Sequence, residues 1–161
     1  MNSFVFPANP PKPALSPAVT NDGWWPDIDL VKLRADCRLD GTVTEERLRR
    51  SVINAVAEIN RQLGSWKTVQ IEAGCVSLLD VQAPQIDGKS VKFALYLRAV
   101  GAAVQADMAE AYRDISTLPD GANKQDRVLA SVDVRADGFL RDMRWAIADL
   151  KDQRRVIVEL I

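Results

Sequence analysis

Apolar positions recur along this chain with a helical period. Leu48, Val52, Val56, Ile59 and Leu63 follow one another at spacings of four, four, three and four, which places them on one face of an amphipathic helix. Thr44 precedes them as a good N-cap. Glu45 and Glu46 fall in the first turn, where the helix dipole favours negative charge. Gly64 is the predicted stop, and Arg47, Arg49, Arg50 and Glu58 cover the other faces. A longer helix is predicted from about Lys89 to Ile115, with Val91, Ala94, Leu95, Leu97, Gly101, Val104, Met108, Ala111 and Ile115 giving a wide apolar surface. Ala99, Gly101, Ala102, Ala103 and Ala106 are small enough for another helix to approach closely, so this reads as the central helix of a bundle. Pro119-Asp120-Gly121 breaks it. A last helix runs from about Asn123 to Lys151 on the stripe Val128, Val132, Ala136, Phe139, Met143, Ile147 and Leu150. Gly138 weakens that helix unless close packing requires it.

Shorter elements fill the rest. Asp27 follows Pro26 and predicts the N-cap of a helix from about Ile28 to Leu39, ended by Gly41. Trp66 to Ala73 reads as a short helix ended by Gly74. Val76 to Val81 fits either a strand or a helical turn, and Pro84 and Asp87-Gly88 mark a loop. The fold class is therefore all-α: a bundle of about four to five helices, flanked by two different ends. Residues 1–23 hold Pro7, Pro10, Pro11, Pro13 and Pro17, five of the eight prolines, and form an extended arm with an apolar tip at Phe4-Val5-Phe6. That tip either docks on a neighbour or belongs to a frayed terminus. Residues 24–153 form the helical domain. Residues 154–161, from Arg154 and Arg155 through Val156, Ile157, Val158, Glu159, Leu160 and Ile161, form a short β-type tail with no partner strand of its own.

Composition narrows the chemistry. The 161 residues are 47% hydrophobic and 27% charged, enough for one domain with a proper core. A net charge of −1 and a pI near 5.5 lack the basic signature of a general nucleic-acid binder. There is no histidine, so neutral-pH acid–base work loses its commonest agent, and neither Cys37 nor Cys75 has an imidazole to activate it. The same two isolated cysteines cannot supply the roughly four ligands of a structural zinc site. Gly121-Ala122-Asn123-Lys124 lacks the first glycine, the spacing and the preceding strand of a phosphate loop. No enzyme, metal or cofactor is expected. No signal peptide or membrane-length apolar run stands out, which predicts a soluble compartment.

Protein contacts are the better reading. Trp24 and Trp25 either anchor an interface, as buried tryptophans often do, or cap the open end of the bundle. The tail either adds a strand to a partner's sheet or packs back onto its own bundle. Arginines at 47, 49, 50 and 61, and at 141, 144, 154 and 155, cluster on two stretches but are interleaved with carboxylates, which weakens a phosphate footprint.

Five stretches carry a resemblance: Trp25-Pro26-Asp27-Ile28-Asp29, the arginine-rich helix after Thr44, the Ile86-Asp87-Gly88 turn, Leu97-Arg98-Ala99-Val100, and Arg141-Asp142-Met143-Arg144-Trp145-Ala146 followed by a short apolar terminus. Over roughly residues 24–161, in this order and spacing, the chain resembles the head completion protein, protein L, of contractile-tailed temperate bacteriophages. The resemblance implies a structural protein of the virion neck, assembled in the host cytoplasm and similar to helical connector adaptors. It implies binding to the portal protein after DNA packaging. It also implies a ring of copies, twelve to match the portal, that extends the DNA channel and offers a platform to the next neck or tail-completion protein. Packaged DNA would pass through the ring without sequence-specific binding, and no membrane is involved. On this reading the segment Arg154–Ile161, with Arg154, Arg155, Val156, Ile157, Val158, Leu160 and Ile161, is the expected portal-docking element. It would be disordered or loosely packed in the free protein and a strand on the portal. Trp24, Trp25, Arg141, Arg144 and Trp145 are expected subunit or neck contacts. For the last three, a structural role is the other possibility, with Trp145 in the core and the arginines paired to Asp142 and Asp149. A DNA-binding accessory protein and a different neck or tail-joining protein remain the alternatives.

Overall fold

The Thr44 cap and the stripe behind it form as the pattern predicts. In a computed structural model of the protein, which describes residues 16–115 and 122–155, helix α2 spans Glu45–Gln62 and the Thr44 hydroxyl accepts from the Arg47 amide. Leu48, Val52, Val56, Ile59 and Leu63 are all buried. Gly64 does not stop the chain; it opens helix α3, Gly64–Glu72, which follows directly on α2. Gly74, at φ +95°, is the true end of α3, because only there does the chain turn into the left-handed region.

Five helices and two short ladders make up the described residues. Before α2, strands β1 (Ala18–Val19) and β2 (Ile28–Asp29) pair antiparallel, and α1 covers Leu30–Asp36. After α3, Leu78–Asp80 makes one 3-10 turn. Strands β3 (Gln85–Ile86) and β4 (Lys89–Ser90) then pair through Asp87 and Gly88, both at positive φ as a two-residue hairpin turn requires. Helix α4, Val91–Ile115, is central: it packs against α2 on one side and against α5, Ala122–Leu150, on the other. The all-α bundle is thus the observed class. The tip Phe4–Phe6, the break at Pro119-Asp120-Gly121 and the tail residues 156–161 lie outside the described residues, as do the side chains of Val128 and Val132.

Three local differences from the sequence reading have physical causes. Helix α1 starts two residues late, capped by Asp29, whose carboxylate accepts from the Lys32 amide at 2.9 Å. Asp27 is instead bonded to the Asn21 amide, and Ile28-Asp29 is drawn into the ladder with Ala18-Val19. Gly41 plays no part in ending α1. Arg38, at φ +53°, takes the left-handed position, and the Arg38 and Leu39 amides close back on Ala35 and Arg34. The ordered body also begins before residue 24. Val19 is buried, and Arg49 donates to the carbonyls of Ser16 and Ala18. The last residues of the proline-rich arm are therefore part of the fold, because an aliphatic side chain and an arginine clamp them there.

The core centres on aromatic rings. Trp25 stacks on Tyr96 with centroids 4.8 Å apart and planes 10° from parallel, while Trp24 meets Trp25 edge-on at 4.5 Å. Trp66 of α3 closes the cluster at about 6 Å from both indoles. Beside it, the Tyr96 hydroxyl donates to Asn60 Oδ1 at 2.7 Å and accepts from Asn21 Nδ2 at 2.9 Å, and Asn60 Nδ2 donates to Asn21 Oδ1 at 2.9 Å. Burial pushes the Tyr96 phenol well above its ordinary range, the two asparagine bonds notwithstanding, so it stays a neutral donor.

Two substitutions should move stability in opposite directions. Tyr96→Phe removes the shared hydroxyl and strands asparagine groups beside the core, so chemical denaturation should show a loss of about 1–3 kcal/mol. Gly138 is helical with nothing within 4 Å of where a Cβ would stand, so close packing does not explain it. Gly138→Ala should stabilise the protein by about 1 kcal/mol in the same measurement.

Candidate functional site

The two termini leave the body at opposite kinds of anchor, and the C-terminal one is built with care. Helix α5 ends at Leu150 in a capping motif in which the Asp152 and Gln153 amides return to the carbonyls of Asp149 and Ala148, with Asp152 left-handed at φ +56°. Lys92, from the first turn of α4, is almost fully buried. Its ammonium donates to the Leu150 carbonyl at 2.6 Å and pairs with the Asp152 carboxylate, and it lies over the Trp66 ring at 5.8 Å. A cation at a helix C-terminus opposes the negative end of the dipole and satisfies an otherwise orphaned carbonyl. The hydrophobic pattern along the chain does not mark Lys92. Its one signal was a lone lysine on the apolar side of a helix start.

Beyond that clamp the chain is held once more. Arg155 makes a two-pronged pair with Asp149, at 2.9 and 2.6 Å, and lies against the Trp145 ring at 5.1 Å. Arg141 lies against the same ring at 4.9 Å. The Arg155 hydrogen bonds hold the Asp149 carboxyl below its ordinary range, helped by the charges of Arg155 and Arg98. Arg98 itself pairs with Asp142 at 3.6 Å. The expected pairing of Arg141 and Arg144 with Asp142 and Asp149 is therefore not what forms: Asp149 takes Arg155, and Asp142 takes Arg98. Trp145 is half-buried on the outside of α5 rather than in the core, and Arg144 and Arg154 are exposed.

Trp24 and Trp25 sit elsewhere. They are 7% and 2% exposed, and the Trp24 indole N–H donates to the Cys75 carbonyl at 3.2 Å. Both indoles pack inside the chain, which leaves little of either ring at the surface. They do not come together with Arg141, Arg144 and Trp145, because α3 and the start of α4 stand on their side of the core.

A cleft of about 550 Å³ opens between α1 and α4. Leu33, Phe93, Ala94, Leu97, Gly101 and Ala102 give it an apolar lining, and Lys32, Arg98, Asp36 and Asp142 are among the charged groups around it. Ala94, Leu97 and Gly101 belong to the wide apolar surface read from the sequence. The fully buried face of α4 is instead turned toward Tyr96, Ala99, Val100 and Val104. Cys37 lies on the cleft floor with its thiol against the Gly101 carbonyl at 3.7 Å. Burial pushes that thiol up to about 11, with the charge of Asp36 adding to it, so it is not a poised nucleophile.

The remaining surface is informative in two respects. Among the described residues, eight large apolar side chains are exposed; Val69, Ile71, Val76, Leu79 and Ile86, at 49–81%, fall in the stretch from α3 through the 3-10 turn to the hairpin, and Val31, Ile53 and Val134 lie elsewhere. Exposed apolar side chains of this kind are candidates for contacts with a partner. Two of the four arginines of α2 are engaged within the chain: Arg49 is bonded to the backbone around β1, and Arg61 to Glu58. Among the described residues no group of three or more potential ligands could hold a metal ion, and no helix is long and apolar enough to cross a membrane.

Because Trp145 contributes a half-exposed ring and two guanidinium contacts rather than a core anchor, Trp145→Ala should cost about 1–2 kcal/mol. The variant should keep its helix content, as circular dichroism and a denaturant titration would show.

Residues 19–161 match the phage head completion protein (GPL) family. The chain is similar to the head completion/stabilization protein of Escherichia phage P2, at 39% identity over 152 residues, covering 94% of this chain and 88% of that relative. No solved structure matches the chain. A match across nearly the whole chain settles the class: the chain belongs to the phage head completion protein family, structural proteins of virion assembly.

Proposed function

We propose that this protein completes the filled head as a connector adaptor. Copies join the portal protein after DNA packaging and form a ring, twelve to match the portal. The ring extends the DNA channel and gives the next neck or tail-completion protein its platform. The observation that carries this reading is the fixed launch of the C-terminal tail. Lys92 locks the end of α5, and Arg155 is tied to Asp149 and Trp145. The six residues that follow are apolar except for Glu159. A rigid body that presents a short β-branched segment at a defined point suits strand addition to a partner's sheet, where backbone bonds give affinity and alternate side chains give fit.

Ring contacts between identical copies are head-to-tail, so each copy needs two different faces. The apolar surface of α3 and the hairpin supplies one. The outer side of α5, with Arg141, Arg144 and Trp145, supplies the other, or the contact to the next neck protein. Trp24 and Trp25 act by holding the body rigid. The Phe4-Val5-Phe6 tip of the arm is a further docking element for a neighbour. The DNA-binding alternative is the weaker one, since Arg49, Arg61 and Arg155 have partners within the chain.

Because Arg155 braces the body, the deletion that tests docking should begin at Val156. Removing residues 156–161 should weaken portal binding by about 100-fold or more, equivalent to about 2.7 kcal/mol, while helix content and melting stay nearly unchanged. Light scattering after size-exclusion chromatography, on the protein alone and with its portal, reads the outcome. A stoichiometric ring complex that the deletion abolishes is the expected result. A truncated chain that still docks would remove the tail from this role, and no complex with an intact portal would move the protein to another neck position.

A further inference from the structure

Arg155 pairs with Asp149 and stands near enough to Asp142 for their charges to act on each other. Asp142 and Arg98 line the α1–α4 cleft and pair with each other between α5 and α4. The cleft's apolar wall is a part of α4's apolar surface that is only partly covered: Phe93 and Leu97 are half-buried, Ala94 is exposed, and Gly101 lies deeper, against Leu33 and Cys37. We propose that the cleft is the seat of this chain's own C-terminal tail, residues 156–161, when the protein is free.

Length and pattern both fit. Six extended residues reach about 20 Å. The wall of α4 from Ala94 to Gln105 is about 16 Å long at the rise of an α-helix. In an extended segment alternate side chains share a face, so Val156, Val158 and Leu160 point one way and Ile157, Glu159 and Ile161 the other. The first face is wholly apolar and suits the lining. Glu159 then faces outward to water, where Lys32, Lys89 and Arg98 share the rim with Asp27, Asp29, Asp36 and Asp142. The cleft is open, so the tail's backbone groups keep access to water and need no second strand. The occupancy itself stands on this geometry alone. Only its consequence rests on the portal reading: a seated tail cannot dock, so the competent fraction is the unseated one and the portal must draw it out.

Hydrogen exchange on the full-length free protein tests the seat. The amides of residues 156–161 should exchange about 10-fold or more slowly than in a synthetic peptide of residues 154–161. Ala94→Arg, a change at an exposed position on the cleft wall, should return them to the peptide rate with helix content unchanged. A second measurement alters nothing in the cleft. With Cys75→Ser removing the other thiol, Cys37 at the cleft floor should react with a maleimide several-fold faster after deletion of 156–161 than in the full chain. Tail amides that exchange at the peptide rate, protection that survives Ala94→Arg, or Cys37 reactivity unmoved by the deletion would each overturn the proposal. Protection that rises with protein concentration would overturn it as well, by making the occupant a second copy's tail. Neither measurement involves the portal, so the seat and the docking role succeed or fail separately.

Discussion

A half-buried polar triangle around Tyr96 holds this fold to one arrangement. Asn21 belongs to the end of the arm, Asn60 to α2 and Tyr96 to α4, and each hydrogen-bonds the other two. Such groups are costly to bury unpaired and inexpensive once mutually satisfied. The triangle therefore fixes the register of three segments far apart in sequence. The Trp25 indole stacks on the Tyr96 ring, and Trp66 brings in α3. Hydrophobic burial supplies the drive to pack, and the triangle selects which packing is reached.

Helix α4 carries the rest of the organisation because its apolar surface is wider than one neighbour can cover. One part meets α2 and α5 in the core. Another is left lining the cleft beside α1, where Gly101 has Cys37 and Leu33 at 3.4 and 3.6 Å from the position of a Cβ. Its first turn sends Lys92 to the end of α5. The same helix thus closes the core, shapes the cleft and fixes the point from which the C-terminal residues depart.

That division suits a head completion protein. A structural component of the virion needs a body that does not deform and segments that can engage neighbours. Here the rigid elements are internally satisfied: Trp24, Trp25, the α2 arginine Arg49 and the buried lysine all spend their interactions within the chain. What is offered outward is apolar surface on α3 and the hairpin, and the ring and guanidinium groups at the end of α5. The family match spans both the body and its C-terminal end.

The sequence by itself determined the helical class, the Thr44 cap, the α2 stripe, the Gly74 stop and the absence of histidine chemistry. Each depends on residues close together along the chain, where periodicity and capping act directly. The family was legible too, through short motifs in a fixed order. Tertiary structure decided which face of α4 is core, because 3.6-residue periodicity marks an apolar surface without saying how much of it a neighbour covers. It drew Ile28-Asp29 from α1 into a ladder with Ala18-Val19, and so carried the body back into the arm. It turned Trp24 and Trp25 inward and left Trp145 at the surface, although all three are the same side chain. It also gave Arg155 to Asp149 and buried Lys92 against the end of α5. Those partners lie on separate elements or across a helix cap, and only the folded packing brings their charges within bonding distance.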